Sequence, residues 1–206
     1  MDSYRSVGRE AVAEIVIKKS RFICYVKPVE TAEAAQEFVE AIRKKHWDAT
    51  HNVPAWRVGM PVPAERFSDD GEPAGTAGMP VLEVLRKQEV TNCVLVVTRY
   101  FGGTLLGAGG LVRAYTESAV KGLEAAGIVT YHLYRRFTII VPYPLLGSIL
   151  HLLEKLEGKL EEPLYGAEVE VRGWLLPELQ NKLEKEVAEL GQGQLLVEWG
   201  ESCYLP

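Results

Sequence analysis

Thr98-Arg99-Tyr100-Phe101-Gly102-Gly103-Thr104-Leu105-Leu106-Gly107-Ala108-Gly109-Gly110-Leu111-Val112-Arg113-Ala114-Tyr115 follows the apolar run Cys93-Val94-Leu95-Val96-Val97. It runs into Leu111, Tyr115, Ala119, Val120 and Leu123, apolar residues at helical spacing that end before Gly127. The pattern is a buried strand, a glycine turn and a helix. Five glycines in nine residues, Gly102, Gly103, Gly107, Gly109 and Gly110, cost chain entropy and contribute no packing. They imply special backbone geometry, or backbone that something approaches closely. Free N–H groups at a helix start attract anions, and Arg99 and Arg113 flank the turn with fork-shaped donors. The stretch matches neither standard phosphate loop. Ala108-Gly109 stands where a Walker A motif needs Lys-Ser/Thr, and Val112 stands where the dinucleotide fingerprint needs Gly or Ala. An anion or RNA-backbone site and a purely structural crossing both remain open.

Upstream, Ala11 to Ile17 and Arg21 to Val29 read as strands joined at Lys18-Lys19-Ser20. Thr31 caps a helix whose apolar positions run from Ala34 to Ile42 and whose last turn is Arg43-Lys44-Lys45. His46-Trp47-Asp48-Ala49-Thr50-His51-Asn52 then packs polar chemistry into a helix-to-strand corner, followed by a strand from Val53 to Met60. Its two histidines are five apart, not the four that place zinc ligands on one helix face. Pro61 to Pro80 reads as a long loop without periodicity. Within it Ser68-Asp69-Asp70-Gly71-Glu72 offers three carboxylates. They suit a hard cation, Asx turns, or pairing with Arg66, Arg99 or Arg113. The spacing does not match an EF-hand loop. Pro80 marks the start of a short helix, Val81 to Gln88.

From Tyr134 onward the pattern is β-α-β-β-α-β, the ferredoxin-like arrangement. Its strands are expected at Tyr134–Pro142, 160–165, 167–175 and 194–199. Domains are expected at residues 1–134 and 135–206. The 16 basic and 16 acidic residues of the first part cancel, and the 7 and 12 of the second carry the whole net charge of −5. A polyanion would therefore meet the first part, through local patches. No apolar run is long enough to cross a membrane, and no signal peptide is visible. Cys24, Cys93 and Cys203 form neither a disulfide framework nor a zinc pattern, and a cytoplasmic location is expected.

The blocks His46–Asn52, Arg66–Pro73 with Gly75-Thr76-Ala77-Gly78, and Thr98–Tyr115 together resemble the signature of the YigZ/IMPACT family, in its order. The resemblance covers about residues 5–130. It implies an α+β protein of two domains. The first would be a β-α-β domain like a small-subunit ribosomal protein domain and domain IV of elongation factor G, the second ferredoxin-like. Eukaryotic relatives act in translational control, which implies a translation-associated regulator that binds RNA, the ribosome or a protein partner. The expected binding residues are Arg99, Gly102, Gly103, Gly107, Gly109, Gly110 and Arg113, with no cofactor, no metal and no membrane partner. Lys18, Lys19, Arg43, Lys44, Lys45, Trp47, Tyr100 and Phe101 would add charge and stacking surfaces. The alternative is a hydrolase or transferase acting on an anionic or phosphorylated small molecule. His46, His51, Asp69, Asp70 and Glu72 would then be its acid, base or metal groups.

Overall fold

The computed structural model describes residues 2–206. The elements are β1 (Ser3–Val7), β2 (Ala11–Ile17), β3 (Ser20–Pro28), α1 (Ala32–Lys45), β4 (His51–Val58), β5 (Ala64–Phe67), α2 (Gly78–Lys87), β6 (Cys93–Tyr100), α3 (Ala108–Ala126), β7 (Ile128–Val141), α4 (Tyr143–Lys155), β8 (Lys159–Leu160), β9 (Leu164–Tyr165), β10 (Val169–Leu175), α5 (Gln180–Leu190) and β11 (Val197–Leu205). Two compact units divide the chain after Ser3 and after Thr130, and β1 and β7 run across the divisions.

The unit of residues 4–130 is a sheet ordered β2-β3-β6-β4-β5, antiparallel throughout. Strand alternation sorts its side chains onto two faces. Phe22, Cys24, Val26, Val53, Leu95 and Val97 meet α2 and α3 on one face. Ile23, Tyr25, Trp56, Val94 and Val96 meet α1 on the other. Both faces are therefore covered, and this explains why Cys93–Val97 is apolar at every position rather than at every second one. Thr31 caps α1, its hydroxyl accepting from Ala34 N at 3.1 Å, and Arg43, Lys44 and Lys45 sit in the last turn. Gly127, with φ of +71°, ends α3.

Two expectations need correcting here. The stretch from Pro61 to Pro80 is not structureless, because Ala64–Phe67 pairs with β4 and Arg57 Nε donates to Glu65 Oε1 at 2.8 Å. The following helix starts at Gly78, earlier than Pro80. A carboxylate from the loop stabilises that earlier start, as described below.

The other unit is β7-α4-β8-β10-α5-β11 with neighbours ordered β11-β7-β10-β8, all antiparallel, which is the ferredoxin-like topology. Phe137, Ile139, Val141, Val169, Val171 and Leu175 pack against Ile149, Leu153, Leu183 and Val187 of the helices. The expected strand at 160–165 is two short pieces, separated by a segment ending in Pro163. The last strand starts later and runs longer than expected, to Leu205, with an irregularity between Trp199 and Ser202. The first strand begins directly after Gly127, so the passage between units lies inside an element rather than in a linker.

Candidate functional site

Hydrogen bonds from backbone N–H groups gather three loops at one end of the five-stranded sheet. Thr50 N donates to the Arg99 carbonyl at 2.9 Å, and Phe101 N donates to Thr50 Oγ1 at 3.0 Å. Gly102 N donates to Ser20 Oγ at 3.1 Å. A Cβ on Gly102 would lie 2.1 Å from the Lys19 backbone carbon, so only glycine lets the turn after β6 pass the β2–β3 hairpin. The turn 46–50, the Lys18-Lys19 tip and the turn 101–107 therefore share one edge.

The acidic loop is fastened beside this edge by its own carboxylates. Asp69 accepts from the N–H groups of Gly75, Ala77 and Gly78 at 2.8, 3.1 and 2.8 Å and so caps α2 from outside the helix. Partial burial disfavours its charge, but these three donors outweigh that and hold its pKa below the usual value. Asp70 accepts from Asn52 N at 2.6 Å and from Arg43 Nη2 at 3.1 Å. Glu72 turns inward and accepts from Arg99 Nη1 at 2.6 Å and from the Tyr115 hydroxyl at 2.7 Å. Burial, and then Glu72, push the Tyr115 hydroxyl well above its ordinary pKa. The Arg99 guanidinium lies 5.4 and 5.6 Å from the centroids of the Phe22 and Phe101 rings, with its Nε buried and unpartnered. Arg99 is thus 5% exposed and committed internally, in the carboxylate pairing that was one of the options open in the sequence.

The two histidines part company. His51 faces α2 and α3 with Arg99, its cross-strand neighbour. Its Nδ1 donates to the Asp70 carbonyl at 2.7 Å, which leaves Nε2 turned to Glu72 Oε2 at 3.7 Å. His46 lies on the α1 side in a chain of hydrogen bonds whose direction can be read from its end. Asp48 only accepts, so Tyr100 donates to it at 3.0 Å. His46 Nδ1 then donates to Tyr100 at 2.9 Å, and Tyr25 donates to His46 Nε2 at 2.6 Å. Burial, with Lys45 nearby, holds the His46 pKa below its usual value. Of the five residues proposed as acid, base or metal groups, His51, Asp70 and Glu72 meet, while His46 and Asp69 serve other contacts. Among the described residues no group of three His, Cys, Asp or Glu side chains is placed to hold a metal. Burial pushes the Cys24 thiol up to about 12 and that of Cys93 well above its usual value.

What the edge presents to solvent is different in kind. Gly103 and Gly107 hold the turn with φ of +79° and +73°. The helix α3 begins at Ala108-Gly109-Gly110 with no side-chain cap and no acid in its first turn. Its first N–H groups are open, since the first intrahelical bond is Leu111 N to the Gly107 carbonyl. Arg113, exposed, lies back along this turn and donates to the Gly109 carbonyl at 3.1 Å. Trp47 is 83% exposed, Leu105 82% and Phe101 46%. Sequence reasoning did not single out Leu105, the anchoring role of Tyr115, or Phe22 beneath Arg99. Tyr115 looked like one more apolar helix position.

These features define a two-domain α/β protein whose first domain carries a glycine turn over a buried Glu–Arg–Tyr cluster. The Impact N-terminal domain family model matches residues 18–123, and a domain of unknown function, DUF1949, matches residues 139–194. IMPACT family member YvyE of Bacillus subtilis (strain 168) is 42% identical over 205 residues, spanning 100% of this chain and 94% of that protein. IMPACT family member YigZ of Escherichia coli (strain K12) is 39% identical over 181 residues, spanning 87% and 89%. A crystal structure of a hypothetical protein superposes with a TM-score of 0.63 at 36% identity, over 98% of each chain. The chain belongs to the IMPACT family.

Proposed function

We propose that this protein is a translation-associated regulatory binding protein whose first domain engages RNA, free or in the ribosome, through the edge built on Gly102–Arg113. The observation that carries this reading is the combination at one edge of the uncapped, acid-free start of α3 with Arg113, Lys18 and Lys19. Open N–H groups and cations suit phosphates, and the exposed Trp47 and Phe101 offer faces on which bases stack. The first domain is where the acidic surplus of the chain is absent, so these patches act without a repelling background. The resemblance to translational regulators points the same way.

The alternative of a hydrolase or transferase draws on His51 and Glu72. Its carboxylates are already engaged: Asp69 by three backbone N–H groups, Asp70 by Asn52 and Arg43, Glu72 by Arg99 and Tyr115. Each is thus committed to holding the loop in place, and this favours the binding role.

Co-sedimentation with ribosomes at low salt tests the proposal. The wild type is expected in the pellet, and Lys18→Ala/Lys19→Ala/Arg113→Ala in the supernatant. Equal pelleting of both, or pelleting that survives RNase and reports a protein contact, would count against RNA as the partner.

A further inference from the structure

A second site stands on the opposite layer of the first domain, between α1, β4 and β5. We propose that it is a phosphate-group pocket built on Arg43 and Arg66. The cavity is about 140 Å³. That is below the roughly 300–1,000 Å³ of sites that enclose a drug-sized ligand, so it suits one chemical group rather than a whole cofactor.

The strand register brings the two arginines together. Arg66 lies directly opposite Trp56 in the β4–β5 pair, so its side chain shares the face of Trp56. Trp56 belongs to the cluster beneath α1, and Arg43 stands on the last turn of that helix. Both arginines line one cavity, with Gln36, Trp56 and Ser68, and no Asp or Glu is among the lining residues. Arg43 is held in place from outside: Nη1 donates to Glu40 and Nη2 to Asp70, both at 3.1 Å, leaving Nε open. Arg66 is exposed and makes no ion pair among the described residues. The Arg43 charge is met by Glu40 and Asp70, so Arg66 is the cation at this cavity that an incoming anion would pair.

The remaining wall is rich in donors. Ser68 Oγ accepts from Asp70 N at 3.1 Å, which leaves its proton to give. Gln36 Nε2 uses one N–H on Glu40 and keeps the other. Donors converging from four side chains around one small space suit the several oxygens and higher charge of a phosphate better than a flat, singly charged carboxylate. The group can arrive as inorganic phosphate or on a phosphate monoester such as a nucleoside monophosphate.

The test uses the full chain, titrated with inorganic phosphate, with a nucleoside monophosphate and with acetate, and reads the Trp56 indole N–H signal by NMR. Phosphate is expected to shift that signal saturably, with Arg66→Gln weakening binding about tenfold or more. The thermal midpoint should hold, because Arg66 has no partner to lose. Tighter binding of the monophosphate would identify an ester as the source, and equal binding free phosphate. Arg113→Ala should leave the response intact, which separates this pocket from the RNA edge. A Trp56 signal unmoved by phosphate, an equal response to acetate, or full affinity in Arg66→Gln would overturn the assignment.

Discussion

Arg99 Nη1 donates to Glu72 Oε1 at 2.6 Å while their side chains are only 6% and 3% exposed. Removing one partner of such a pair strands a buried charge and costs about 3–5 kcal/mol. Arg99→Ala and Glu72→Ala are each expected to lose that much in urea denaturation, and Tyr115→Phe less. Arg99→Met/Glu72→Leu should lose clearly less than the two single changes summed, since neither charge is then left alone. Binding losses in Arg99 variants consequently report folding as well as contact, and Arg113 is the cleaner probe.

Asp69 caps α2 across a loop, so Asp69→Ala should cost about 1–2 kcal/mol. Its folded pKa is depressed, so its contribution is fully present above the ordinary value of 3.8 and lost as pH falls through the lower folded value. Wild type should therefore lose stability below about pH 4 more steeply than Asp69→Asn in acid denaturation curves.

His46 is held half-buried as a neutral ring that accepts from Tyr25 and donates to Tyr100. With its folded pKa below 6.5, protons bind the unfolded chain more readily. The stability it contributes is full above pH 6.5 and declines as pH falls below it. Unfolding midpoints measured from pH 8 to pH 5 should show this decline in wild type and a flatter profile in His46→Gln.

The sequence displayed local structure well and partnerships poorly. Cys93–Val97, the Thr31 cap and Gly127 each carry a local signal, and the structure places elements accordingly. Ala64–Phe67 has no alternation and sits among prolines, so only its pairing with β4 makes it a strand. Pairing of the acidic loop with an arginine was one open option, but Glu72 and Arg99 are 27 residues apart and no local signal chooses that pair among three carboxylates and three arginines. His46 and His51 looked like one motif, yet a helix end and strand parity send them to opposite faces of the sheet. The loops that form the binding edge were legible as blocks, but their meeting depends on tertiary hydrogen bonds.

Lys18 and Lys19 hold φ of +46° and +69° in the two-residue hairpin between β2 and β3, where Asn-Gly is the favoured pair. Lysines in left-handed backbone cost on the order of 1 kcal/mol each. Lys18→Asn/Lys19→Gly is therefore expected to raise stability by about 1–2 kcal/mol in denaturant titration while weakening RNA binding. Changes of opposite sign would mark these lysines as kept for binding rather than for the fold.

The salt dependence of RNA affinity for wild type and for Arg113→Ala tests the central claim most directly. If the edge on Gly102–Arg113 holds RNA phosphates, log K falls linearly with log salt, and losing one contact lowers the slope by about 0.7 on single strands. The account predicts weaker binding and a shallower slope for Arg113→Ala, with an unchanged unfolding midpoint. A wild type whose RNA affinity ignores salt, or an Arg113→Ala variant matching it in affinity and slope, would contradict it.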